Sequence, residues 1–126
     1  MKIHWCWRCQ TDVPMLEQHE WEILAKAHNA KSNTDPSVAL DVLETEALKL
    51  GIPPPLQLPA DARPIAAFGW HLIAGYHMFT GVLLDSPNPI WHHVVSAHGP
   101  PCTQCGKLLR TKKASYCVAC GATVAR

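Results

Sequence analysis

No cysteine in this chain stands outside a Cys-x-x-Cys pair, and no acidic residue lies among residues 102–126. The first absence argues against a scattered disulfide framework. The opening Met1-Lys2-Ile3-His4-Trp5-Cys6 also lacks the apolar core of a signal peptide, so a reducing cytoplasm is expected and paired cysteines read as metal ligands. The second absence leaves Lys107, Arg110, Lys112, Lys113 and Arg126 uncompensated, while residues 1–101 hold ten acids against six bases. A basic tail thus follows an acidic body, which bears on the choice of partner. No glycine-rich phosphate loop and no serine nucleophile elbow occurs, which excludes the commonest nucleotide and acyl-transfer motifs. Charge is sparse: 17% of the 126 residues are charged and 48% are hydrophobic, a globular composition for one domain or a small core with an appended module.

One uncharged run, Pro64 to Leu84, has 21 residues and so matches a bilayer in length. His71, His77, Thr80 and three glycines interrupt it, and Ile65, Phe68, Leu72, Ile73, Tyr76 and Phe79 recur at helical spacing. A one-sided stripe predicts a buried core helix over about 65–80 and no membrane partner.

The rest of the body reads as three further helices. Pro14 opens one through about Ala30, with Trp21, Leu24 and His28 on one face. After the polar turn Asn29–Thr34, Asp35-Pro36 serves as N-cap and first residue of a second helix that stops at Gly51 and Pro53. Leu40, Leu43, Ala47 and Leu50 form its apolar stripe, and Asp41, Glu44 and Glu46 its acidic face. Five prolines from Ile52 to Pro64 inclusive make a stiff connector. Asn88-Pro89 starts a short helix ending near His98, and Gly99-Pro100-Pro101 breaks the chain.

Cys102-Thr103-Gln104-Cys105-Gly106 and Cys117-Val118-Ala119-Cys120-Gly121 are two similar knuckles separated by eleven residues. Facing each other, they offer four sulfurs at tetrahedral corners, the closed geometry of structural zinc; vicinal disulfides or free thiols are the alternative. The expected arms of the hairpin are Lys107–Arg110 and Ala114–Tyr116. This segment resembles a zinc ribbon, whose metal would supply most of its folding free energy.

Cys6-Trp7-Arg8-Cys9 is the same knuckle without a cysteine partner pair. Three readings stay open. It binds a second zinc completed by histidines, with His93 preferred, His92 and His98 close behind, and His4 and His28 after them. It is a redox pair of the Trp-Cys-x-x-Cys kind, although no strand has room to precede it. Or its thiols are unmetallated and buried.

Catalytic motifs mostly fail. His19-Glu20 is followed by Ile23 where a zinc protease needs its second histidine. Pro101-Cys102-x-x-Cys105 lacks the upstream His-x-Glu of a zinc deaminase. A metal-dependent nuclease site from Asp85, Asn88, His92 and His93 survives weakly, because Asn88-Pro89 already serves a helix start.

Cys6-Trp7-Arg8-Cys9 with Asp12–Leu16, and His92-His93 through Gly99-Pro100-Pro101-Cys102 to Thr111, resemble segments of small bacterial knuckle-plus-ribbon proteins. These are similar to immunity proteins that neutralise secreted toxins, and the resemblance implies a tight protein partner without naming a contact residue. The expectation is a mainly α protein: a four-helix body and N-terminal knuckle (1–101) flanked by a small β zinc ribbon (102–126). Its expected metal ligands are Cys102, Cys105, Cys117, Cys120, Cys6, Cys9 and His93. The expected function is non-catalytic, that of an immunity or inhibitor protein binding a basic toxin. The alternative is a nucleic-acid-binding or transcription-associated ribbon.

Overall fold

The computed structural model describes residues 2–30 and 37–124. The chain opens with a hairpin, β1 (Lys2–Cys6) and β2 (Thr11–Met15), paired antiparallel from Lys2 opposite Met15 to Cys6 opposite Thr11. Two longer helices follow, α1 (Gln18–Ala30) and α2 (Ser37–Leu50), then α3 (Pro64–Phe68) and α4 (Trp70–Thr80). Two 3-10 turns, Asn88–His92 and Val95–Ala97, lead into the C-terminal knuckles.

The architecture is mainly α, with four helices and one two-stranded sheet among the described residues, but its parts depart from the expectation in four places. First, the sheet is N-terminal, and β1 is the strand before Cys6-x-x-Cys9 for which residues 1–5 were expected to have no room. Pro14, expected to open a helix, lies in β2 opposite Ile3, and α1 starts only at Gln18. Its start is set by Glu20, whose Oε1 accepts the Glu17 N–H at 2.8 Å, the reach-back half of a capping box.

Second, the uncharged run is two helices broken at Gly69. A Cβ at Gly69 would stand 2.3 Å from Pro87 Cγ, so the turn before the 3-10 segment needs that bare backbone. The stripe also fails to be one-sided. Ile65 and Phe68 are exposed, whereas every residue from Trp70 to Tyr76 is buried, the pattern of a helix enclosed on all sides. No described helix is long and apolar enough to cross a membrane.

Third, the helix expected from Asn88 to His98 is replaced by the two 3-10 turns. The Asn88 N–H bonds to Ser86 Oγ at 3.2 Å, so Asn88 is inside the turn and does not cap it. Continuation fails because Leu16 takes the backbone: its N–H donates to the His93 carbonyl at 2.8 Å and its carbonyl accepts the Val95 N–H at 2.9 Å.

Fourth, the arms expected to pair across the ribbon do not. Pro101 bridges Leu108 and Tyr116 bridges Thr123, so each knuckle closes its own short hairpin. The Asp35-Pro36 cap lies outside the described residues, as do positions 31–34 of the polar turn. The proline connector has no regular structure over 52–59 and is pinned where Trp70 Nε1 donates to the Leu56 carbonyl at 2.8 Å.

The main core joins Leu24, Leu43, Ile73, Tyr76 and Ile90 from α1, α2, α4 and the first 3-10 turn. Leu43 is buried as expected, but Leu50 is half exposed. Two small clusters lie beside it: Cys6 with Met15 and Leu108, and Cys102 with Leu109 and Cys117. Leu108 ties the first C-terminal knuckle to the N-terminal hairpin. A Cβ at Gly99 would lie 2.2 Å from the Thr111 carbonyl oxygen, so close backbone approach fixes residues 109–111 against the segment that enters the first knuckle.

Candidate metal centres

All three Cys-x-x-Cys segments fold into one turn. In each, the residue after the second cysteine donates its N–H to the carbonyl of the first: Gln10 to Cys6 at 2.7 Å, Gly106 to Cys102 at 2.8 Å and Gly121 to Cys117 at 2.8 Å. This closure demands a left-handed backbone, with φ of 56° at Gln10 and 78° at both glycines. Glycine adopts it freely and glutamine at a cost.

The turns present paired sulfurs. Cys102, Cys105, Cys117 and Cys120 place their sulfurs within 4.8 Å of one another, the first of each pair buried and the second exposed. Cys102 Sγ lies 3.7 Å from Cys120 Sγ, and Cys105 Sγ lies 3.6 Å from Cys117 Sγ. Tetrahedral zinc with a Zn–S length of about 2.3 Å has edges of about 3.8 Å, so the spacing fits. Backbone N–H groups of Cys105 and Gln104 bring the Cys102 thiol down to about 6, and those of Cys120 and Ala119 lower Cys117. Against the lowering N–H of Ala122, burial and the Cys117, Cys102 and Cys105 thiols raise Cys120 to about 11, so the thiolate character a metal takes lies on Cys102 and Cys117.

The N-terminal pair gains its partners through the Leu16 backbone bonds, which bring residues 92–95 beside the hairpin. Cys6, Cys9, His92 and His93 then place one ligand atom each within 4.8 Å of the others. His92 Nε2 is 3.4 Å and His93 Nε2 3.3 Å from Cys9 Sγ, near the edge of about 3.5 Å for mixed sulfur and nitrogen ligands. Burial, followed by the neighbouring His92 and His98, pushes His93 down to about 4, and burial also lowers His92. Both rings are therefore neutral imidazoles at pH 7, as ligation requires.

Each histidine has a support. Tyr76 Oη stands 3.5 Å from His93 Nδ1 and donates its hydroxyl proton to the Pro14 carbonyl. Burial, then the nearby Cys9 and Cys6, raises the Tyr76 hydroxyl to about 12 and keeps it a donor. His98, one of the expected ligands, lies outside the cluster. Its Nε2 donates to the His92 carbonyl at 2.7 Å, and its buried Nδ1 has no partner among the described residues. His4 lies in β1, and His28 Nδ1 meets His71 Nε2 at 2.8 Å. Tyr76 carried no sequence signal, since it is 62 residues from the strand it bonds. Gln10 did, by standing where the other knuckles have glycine.

A third group, Glu17, His19 and Glu20, is close enough to ligate. However, Glu20 is occupied in starting α1, and Glu17 lies 3.6 Å from Lys2 Nζ.

The hairpin and the ribbon also meet through their charges. Lys107 Nζ sits 5.0 Å from the ring centre of Trp5, and the Arg110 guanidinium 4.5 Å from that of Trp7. The cysteine-bearing segments, 2–15 and 100–124, hold Lys2, Arg8, Lys107, Arg110, Lys112 and Lys113 against Asp12 alone. The described residues between 16 and 99 hold eight carboxylates against Lys26, Lys49 and Arg63.

No family model, curated protein or solved structure matches the chain, so no match stands behind the resemblance to immunity proteins.

Proposed function

We propose that this chain is a non-catalytic protein-interaction module stapled by two zinc ions, and that it acts as an immunity or inhibitor protein toward a basic partner such as a secreted bacterial toxin. Zinc is the ion favoured by donor sets of four thiolates and of two thiolates with two imidazoles. Each set already has four protein ligands, which leaves no position for a substrate and makes both ions structural. The observation that carries the binding role is the separation of charge between an acidic helical body and a cationic, metal-binding part. Asp41 and Glu44 are exposed on α2, and Leu48 beside them is 79% exposed. Carboxylates around an apolar side chain suit a basic protein surface and give fast, salt-dependent association.

The test has two readouts. Plasma and native mass spectrometry of the purified protein are expected to find two zinc ions per chain. Calorimetry against a toxin encoded beside it is expected to give a nanomolar complex, weakened tenfold or more by Asp41→Lys with Glu44→Lys. Binding no better than micromolar overturns the reading. An electrophoretic shift of DNA or RNA that disappears in Lys112→Glu with Lys113→Glu would support a nucleic-acid ribbon instead.

A further inference from the structure

We infer that the seam between the N-terminal hairpin and the first C-terminal knuckle is a second docking site, one that takes an extended acidic peptide segment of a partner protein. A cleft of about 620 Å³ opens there, within the size range of ligand sites. Val95, Pro100 and Leu108 give it aliphatic walls, while Lys2, His4 and Lys112 stand on its rim. The rim has one carboxylate, Glu17, and its charge is met by Lys2 at 3.6 Å. Lys112 is exposed, with no ion pair among the described residues. With Lys2 paired to Glu17, the cleft offers apolar depth with one uncompensated positive charge, Lys112, on its rim. A peptide with an aliphatic side chain between acidic residues complements both features.

Nucleic acid is the poorer occupant. No phenylalanine, tyrosine or tryptophan lines the cleft, and of its two imidazoles His98 is buried, which leaves a base only the small ring of His4 to stack on. The nearby rings of Trp5 and Trp7 already carry Lys107 and Arg110. The site goes beyond the acidic helical surface proposed above and selects partner segments of the opposite charge.

The experiment uses the full-length, zinc-loaded protein and a random heptapeptide library displayed on phage, with a 20-nucleotide oligo-dT as comparator. Selected peptides are expected to place Asp or Glu beside Leu, Ile or Val. The best of them should shift the backbone amide resonances of Val95, Ser96 and Leu108. Lys2→Gln with Lys112→Glu should weaken that peptide tenfold or more at unchanged zinc content and helical circular dichroism, while Lys49→Glu on α2 leaves it unchanged. Three results would overturn the proposal: no enrichment of acidic peptides, peptide binding that survives the Lys2 and Lys112 changes, or oligo-dT binding that is lost in their place. Loss of toxin binding in the α2 variants with peptide binding intact would separate this site from the helical one.

Discussion

Tyr76, in the middle of the buried helix α4, holds the N-terminal cluster from behind: its hydroxyl stands 3.5 Å from His93 Nδ1 and donates to the carbonyl of Pro14. One side chain thereby joins the helical core, strand β2 and a ligand-bearing turn. A phenol oxygen that has given its proton to a carbonyl is left as an acceptor, so it favours the His93 tautomer with hydrogen on Nδ1 and the lone pair on Nε2. That is the nitrogen facing Cys9. Tyr76→Phe removes the orienting acceptor and should weaken metal binding at the N-terminal cluster by about 10- to 100-fold, the usual effect of losing such a support. The C-terminal cluster should be unaffected. Competition with a chromophoric chelator, followed separately at each site by resonances of Cys9 and Cys117, checks this.

Metal removal should affect the two ends of the protein unequally. The C-terminal cluster rests on Cys102, Leu109 and Cys117, too few buried groups to order a ribbon without an ion. The main core contains thirteen buried residues among those described and has its own packing. Excess chelator should therefore abolish amide protection over 102–124 while leaving most of the helical circular dichroism. Joint loss of both signals in one transition would contradict this.

Gln10 holds a φ of 56° in a position where both C-terminal knuckles use glycine. Gln10→Gly should stabilise the zinc-loaded protein by about 0.5–1 kcal/mol, because relief of the left-handed strain exceeds the added entropy of the unfolded chain. Thermal denaturation at fixed zinc concentration measures it, and a lower midpoint would refute it.

Gly99→Ala should act in the opposite direction. The clash is with the Thr111 carbonyl, which is backbone and has little freedom to yield. A loss of about 1–3 kcal/mol is expected, typical of overpacking. Denaturant titration gives the loss, and amide shifts of Leu109 and Arg110 report whether residues 109–111 have moved away from position 99.

Lys26 donates to Glu46 at 2.9 Å and links α1 to α2. That bond, the largest of several causes, holds the Glu46 carboxyl below its ordinary value. A carboxyl depressed in the folded state stabilises the fold above its unfolded value near 4.5, and the contribution disappears as pH falls through the folded value. Glu46→Gln should cost under about 1 kcal/mol at pH 7, as exposed pairs do, and nothing once both states are protonated. Paired melts at pH 7 and at pH 3 test the sign.

Some of this protein is determined by sequence alone, because it depends on neighbours along the chain. A Cys-x-x-Cys spacing with a following left-handed residue closes the same turn wherever it occurs, so the sulfur pairs and the C-terminal group of four were legible. Hydrophobic spacing likewise placed α1 and α2, since helical contacts repeat every three to four residues. The Pro14 start failed because a proline suits a strand edge as well as a first helical turn, and pairing with Ile3 decided between them. Tertiary structure alone decided that His92 joins His93 at Cys9 while His98, His4 and His28 do not. Nothing local distinguishes these imidazoles; the choice follows from Leu16 bonding across to His93 and Val95, a contact between segments 77 residues apart or more. The same holds for the break at Gly69, set by Pro87, and for the cleft between hairpin and knuckle, whose walls come from distant parts of the chain. Short-range geometry is written in spacing, whereas long-range pairing is selected by which backbone and side-chain groups the whole fold leaves in need of a partner.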